Sequence, residues 1–390
     1  MRRFEGALAG ALAALAIFVA SGFRATPYNN FVLLADAFRH GRVWIEWPGP
    51  YIDALAFAGR HYVIEAPLPA VLLLPAVLVR GTAVSQTALA AILGGVATLA
   101  AYDLARGLAV SRRSTALLCA FLLLGTDLFW CAMFGDVWFI AHAASVAFVL
   151  LALREVLGAR RGWLVAIFAA CAVESRFALV LALPVFAALL WYGTGTGGAA
   201  EDVRARVRRT GSFALALVPF AAAYVAYNVA RWGVPYDIGY TAWYHQDAAG
   251  SPAGSPFQWR YVGDELYSFF VRFPDTRPTF PYLVPSLAGV ALTWTSPGLV
   301  LALFARSPWR LVAAMWAATA LVAAPSLAYY VNGYAQFGMR HALDFEPFLF
   351  VLVALAVRQR FPPLGVVLCT YSMVVGAWGC WFWRAFVRSS

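Results

Sequence analysis

The chain has no lysine at all, and only 12% of its 390 residues are charged. Soluble domains carry about 25% charged residues, so this scarcity excludes an ordinary water-soluble fold. Every basic residue is an arginine, which we read as a genome-composition effect. The five cysteines (Cys119, Cys131, Cys171, Cys369 and Cys380) all lie in apolar runs. None has the spacing of a redox or metal pair, which leaves them as small buried hydrophobes. The chain lacks a Gly-rich phosphate loop, a G-x-S-x-G elbow and an H-E-x-x-H helix, which removes the chemistries those motifs carry. No internal repeat is visible, and no segment between apolar runs is long enough for a separate soluble domain.

What is present is apolar: 62% of the residues are hydrophobic. Runs of about 18 or more apolar residues read as membrane spans, and there are many. The sequence predicts an all-α polytopic membrane protein, 1–390 as one integral membrane domain. About eleven transmembrane helices are expected: Phe4–Phe23, Val84–Gly107, Ser114–Met133, Val137–Leu157, Gly162–Glu174, Phe177–Tyr192, Gly211–Arg231, Val284–Ala305, Trp309–Val331, Leu343–Val357 and Phe361–Trp383. The first resembles a signal peptide, but the loop after it needs an anchor and many spans follow, so it reads as uncleaved. Membrane-lying helices are expected in the first outer loop, within 24–79, where Pro67–Val79 is apolar but too short to span. A second large outer loop covers 232–283.

Arginine-rich loops face the cytoplasm, which places the N-terminus inside. The inner half then holds 16 Arg and 5 acids, the outer half 13 Arg and 14 acids. All five histidines fall outside. The inner loop 193–210 is a Gly/Thr linker followed by RARVRR, a basic anchor for anionic lipid. Arg384 and Arg388 end up outside, against the rule. The net charge of +10 therefore reads as topology, with no nucleic-acid partner. A bacterial inner membrane, with the chemistry facing the periplasm, is the expected location.

Four outer elements hold residues suited to chemistry. In the first loop Asp36, Glu46, Asp53 and Glu65 are candidate general bases, since an attacking hydroxyl needs a carboxylate within hydrogen-bond reach. Asp36 sits in FVLLADAFRHG with His40 one turn on; a solvated polar face is the plainer alternative. At the tip Glu174-Ser175-Arg176, charges between two apolar half-helices are costly and usually functional. Arg176 there suits a lipid phosphate, or a self-neutralising pair with Glu174. In NGYAQFGMRHALDFEPF, Arg340, His341 and Asp344 suit phosphate or sugar, although Arg340 and Asp344 can pair with each other at i, i+4. Asp344-Phe345-Glu346 is too common a triplet to imply a metal, so neither metal nor other cofactor is expected. Tyr240 and its aromatic neighbours suit a sugar face or a membrane interface. His142 reads as a packed polar residue, with Asp127 and Asp136 on the same rim.

The layout is similar to the GT-C superfamily of integral membrane glycosyltransferases, which includes protein O-mannosyltransferases and lipid A aminoarabinose transferases. It resembles most a bacterial group of family-39-like glycosyltransferases. The strings that carry the likeness are NNFVLLADAFRHGR, DALAFAGRHYVIEAPLPAVLLLP, GDVWFIAHAASVAFVLLAL, ESRFALVLALP, NVARWGVPYDIGY, FPYLVPSLAGVALTWTSPGLVLAL and YAQFGMRHALDFEPF. They run over most of the chain.

The resemblance implies a polyprenyl-phosphate-linked sugar donor, an inverting transfer and a carboxylate base in the first outer loop. The acceptor would be a glycan, lipid or protein. Many members carry an acidic pair soon after the first span, where this chain has Asn29-Asn30. Asparagine is no base, so the role falls to Asp36 or Asp53. Arg176, Arg340 and His341 would hold the donor phosphate, and Asn30, Glu65, Tyr240 and Asp344 the sugar. A flippase for lipid-linked glycans, or a glycan-lipid-binding protein without catalysis, remains the alternative.

Overall fold

Small residues set the first helix pair. In the computed structural model, which describes residues 2–194 and 202–387, helix α1 (Arg2–Ala20) lies along the later helix α4 (Gln86–Gly107). A Cβ at Gly10 would meet the Gly95 carbonyl at 2.7 Å, and one at Gly95 would meet the Gly10 carbonyl at 2.6 Å. Gly10 against Gly95 is thus a backbone-to-backbone contact, the packing that membrane helices use where lipid supplies no hydrophobic drive, while Gly6 makes room for the Asp103 side chain and Gly94 for that of Ile17. Most of the 193–201 linker and Arg388 lie outside the described residues.

Between α1 and α4, α2 (Asn30–Arg39) packs on α3 (Leu68–Arg80), with a two-stranded hairpin between them in sequence, β1 (Leu55–Phe57) and β2 (Arg60–Tyr62). The start of the first loop is tied to the bundle by side chains. Gln86 Oε1 accepts from Phe31 N–H at 3.1 Å, and Gln86 Nε2 donates to the Gly135 carbonyl at 2.7 Å.

The chain continues as α5 (Arg112–Leu124), α6 (Leu128–Phe134) and α7 (Val137–Leu157), then α8 (Gly162–Val173) and α9 (Leu183–Tyr192). It goes on through α10 (Val203–Trp232), α11 (Gly239–Gln246), α12 (Val262–Phe270) and a short α13 (Leu292–Thr295). It closes with α14 (Trp309–Leu327), α15 (Glu346–Val357) and α16 (Pro363–Phe382). Helix α7 is central, 78% buried along its most apolar stretch, whereas that of α10 is only 11% buried. An apolar helix so little buried by protein needs lipid around it.

Among the described residues five helices are long and apolar enough to cross a membrane: α4, α7, α10, α14 and α16 with its C-terminal extension. The α5–α6 pair, bent by 53°, makes a sixth if counted as one span. The protein is all-α with membrane-spanning helices, but eleven full-length spans are not seen. The differences are local. Gly162–Val173 and Glu346–Val357 have 12 residues each, about 18 Å of helix at 1.5 Å per residue, against a bilayer core of about 30 Å. The 284–305 stretch is no continuous helix: it passes from an edge strand (Leu283–Val284) through Leu292–Thr295 to a 3₁₀ turn (Pro297–Phe304). Pro285, Pro297 and Gly289, whose φ is 95°, interrupt it. Apolar content alone does not register such breaks.

Ion pairs collect at both ends. Glu5–Arg112, Asp103–Arg154 and Glu155–Arg161 knit one end together. The first loop, the 174–176 tip and the 332–345 loop lie at the other.

Candidate functional site

Three separate stretches of sequence meet at Asp344. This residue ends the 3₁₀ turn Arg340–Asp344 just before α15, and its side chain has 0% exposure. Arg176, held in extended conformation between α8 and the next 3₁₀ turn, reaches it with Nε at 3.1 Å and Nη2 at 3.0 Å from Oδ2. From α7, His142 donates through Nδ1 to Asp344 Oδ1 at 3.0 Å. Ser145, one turn on, places its hydroxyl 2.9 Å from the His142 carbonyl and 3.4 Å from the same Oδ1. Burial alone would raise the Asp344 carboxyl. The Arg176 guanidinium and the His142 ring outweigh it and hold the group below the usual carboxylate range.

The His341 ring lies 5.6 Å from that of His142. Arg340 turns aside: it donates to the Tyr334 carbonyl at 3.0 Å, and its guanidinium sits 5.3 Å over Phe139. The i, i+4 pairing of Arg340 with Asp344 is therefore not formed; the long-range partner Arg176 takes its place. The Arg176 reading as a self-neutralising pair with Glu174 is replaced in the same way.

Glu65 is the second centre. It is 2% exposed, and neither carboxylate oxygen has a hydrogen-bond partner among the described residues. Burial pushes its pKa up to about 8; Asp53 acts in the same direction, and Arg176 and Arg231 act against it. An unpaired buried carboxyl costs free energy, which sets Glu65 apart from the paired acids of the first loop. Asp53 stands nearby and exposed, its Oδ2 accepting from the Trp138 indole at 3.1 Å. Asn30, fully buried, donates to the Asp53 carbonyl at 2.7 Å and so positions that residue from α2. Tyr240 lies within electrostatic reach of Arg176, Glu65 and Asp344, and its ring meets Tyr329 edge-on at 6.2 Å.

Asp36 has a different setting. Its partners are on its own helix: Arg39 at 3.8 Å and His40 at 3.6 Å. Glu46 pairs with Arg42. The first loop is joined to the tip through the backbone, Leu68 N–H donating to the Glu174 carbonyl at 2.9 Å.

Two participants escaped the sequence reading. From the sequence His142 reads as packing, although a His–Ser pair one turn apart in an apolar span is the kind of polar exception that marks a site. Arg231 is buried at the end of α10, donates to Asn228 Oδ1 at 2.8 Å and lies 4.1 Å over the Tyr227 ring. Among the described residues no group of three or more His, Cys, Asp or Glu is arranged to hold a metal. No family model, curated protein or solved structure matches this chain.

Proposed function

We propose that the protein is a membrane glycosyltransferase that moves a sugar from a polyprenyl-phosphate donor to an acceptor hydroxyl, with inversion. The observation that carries the reading is the gathering of a phosphate-type cation (Arg176) with an unpaired buried acid (Glu65) and an exposed acid (Asp53) of the first loop, more than 100 residues away in sequence. The likeness of the sequence to membrane glycosyltransferases supports it.

In this reading Asp53 accepts the proton of the acceptor hydroxyl as its oxygen attacks the anomeric carbon. The bond from that carbon to the phosphate oxygen breaks, and polyprenyl phosphate leaves with the electron pair. Arg176 meets the phosphate with the guanidinium edge turned away from Asp344, and His341 and Arg340 stand behind it. Asp344 and His142 position Arg176. Glu65 and Asn30 line the sugar side, with Tyr240 against the ring. Asp36 is the second choice as base.

The eleven-span layout belongs to this proposal. The five long helices and the bent pair make six. The shorter apolar segments Phe4–Ala20, Gly162–Val173, Phe177–Tyr192 and Glu346–Val357, together with the 3₁₀ run Pro297–Phe304, bring the membrane-embedded segments to eleven, the shortest of them reaching only part of the way across. Leu68–Ala83 then re-enters from the outer face of a bacterial inner membrane. Purified protein given a radiolabelled polyprenyl-phosphate sugar and an acceptor extract transfers the label if the proposal holds. Label that crosses sealed vesicles without transfer assigns a flippase instead.

A further inference from the structure

The α5–α6 bend opens a second space, away from the Asp344 cluster. Its walls are Leu124, Phe129, Trp130 and Met133 from the bent pair, Gly376 and Ala377 from α16, and its volume is about 370 Å³. That is the scale of a ligand site. At one edge of the space α16 packs directly on the bend: Gly376 lies so close to the Leu124 carbonyl that an added Cβ would collide with it. On the side of the Asp344 cluster the space is shut by Trp130, whose ring packs 4.5 Å from Phe139, the ring beneath Arg340.

The walls are mostly apolar; the polar members are Thr126, whose hydroxyl donates to the Leu122 carbonyl, the Trp130 indole and Arg384. Trp130 is 1% exposed, yet its indole N–H has no partner among the described residues. Arg384 also lines the space, is exposed, and donates to the Ala20 carbonyl at the end of α1 at 2.9 Å. No acid pairs with Arg384 among the described residues. Around this level Phe280, Trp381 and Phe386 form an exposed aromatic group, with centroids 5.4 to 6.2 Å apart. Aromatic clusters of this kind sit at headgroup depth, and a basic residue beside a gap between spans is how membrane helices take anionic headgroups.

We propose that the space between α1, α6 and α16 holds one acyl chain of an anionic membrane phospholipid, with the lipid phosphate on Arg384. Charge complementarity selects the occupant: a guanidinium with no acidic partner among the described residues, at headgroup depth beside a mostly apolar slot. It also accounts for an arginine on the outer side, against the usual charge asymmetry. The proposal is independent of sugar transfer, because no residue of the Asp344 cluster takes part.

The test is native mass spectrometry of the full chain in detergent supplied with equal phosphatidylglycerol and phosphatidylcholine. Wild type is expected to retain phosphatidylglycerol preferentially. Arg384→Gln lowers that retention about fivefold, the effect of one arginine at a lipid surface. Ala377→Trp, at an exposed wall position, lowers retention of both lipids by filling the slot. Equal retention of the two lipids by wild type, or unchanged phosphatidylglycerol retention in both variants, overturns the proposal. So does displacement of phosphatidylglycerol by equimolar polyprenyl phosphate, which would make the slot a donor site. Arg384 is exposed and, among the described residues, ties only to the Ala20 carbonyl, so Arg384→Gln is expected to keep a cooperative thermal transition in lipid-free detergent, which separates lost binding from lost folding.

Discussion

The Arg176 guanidinium holds the Asp344 carboxylate side-on across 168 residues of sequence, with Nε at 3.1 Å and Nη2 at 3.0 Å from Oδ2. Arg176 is 13% exposed and Asp344 not at all, so the pair is removed from water with only His142 and Ser145 to help satisfy it. Such a pair spends much of its attraction on desolvation, and its removal one partner at a time is what costs.

Breaking this pair from one side is therefore expected to be severe. Arg176→Met strands a buried carboxylate and lowers stability by about 3–5 kcal/mol. The double change Arg176→Met with Asp344→Leu recovers most of that loss, because no charge is left unpaired. Thermal unfolding of the four proteins in detergent reads the cycle. A double variant as unstable as Arg176→Met alone would show that the pair is not what holds these segments together.

The base assignment separates two acids in the same loop. Asp53→Asn is expected to lower transfer from a polyprenyl-phosphate sugar by about 10²–10⁴-fold, the range of general base catalysis. Asp36→Asn, which touches only Arg39 and His40 of its own helix, leaves it within a few-fold. Initial rates at saturating donor decide. The opposite order moves the base to Asp36, and full activity in both removes the carboxylate base from the first loop.

Glu65 gives stability a pH dependence of defined sign. Its folded-state pKa of about 8 lies above the ordinary 4.5, so between these values the folded protein holds a proton that the unfolded chain has released. Its share of stability is complete below about pH 4.5, declines through the window and is gone above about pH 8. Glu65→Gln removes that decline. Thermal midpoints at pH 5 and pH 8 are expected to differ less in Glu65→Gln than in wild type. An identical difference would mean that Glu65 is ionised in the folded protein at both values.

The α1–α4 seam predicts opposite effects for two glycines. Gly95→Val places methyl groups where Gly10 and Ala14 already stand and is expected to cost about 1–3 kcal/mol. Gly211, in α10, has nothing within 4 Å of an added Cβ. Gly211→Ala is expected to be neutral or to stabilise by up to about 1 kcal/mol. Detergent unfolding of both checks the seam, and equal behaviour would refute it.

Long spans were legible because their signal is local. Val137–Leu157 has the same bounds in the sequence reading and in the structure, and 84–107 and 361–383 differ by a residue or two at the ends. Length and apolarity decide such helices residue by residue. The 284–305 stretch went astray because proline and a left-handed glycine break the backbone without lowering apolar content.

By itself, then, the sequence determined that the chain is helical and apolar enough for a membrane, that Arg176 is costly enough to need a reason, and that Arg340, His341, Asp344 and Glu65 are candidates for chemistry. Partnership was decided only by the tertiary structure. From spacing, Arg340 was as good a mate for Asp344 as any, and Arg176 could have turned to Glu174. Packing of α7 against the 340–344 turn brings His142 to Asp344, the tip after α8 brings Arg176, and Glu65 is left with no partner among the described residues. A charge advertises its desolvation cost in the sequence, but the group that repays it arrives with the packing of distant helices.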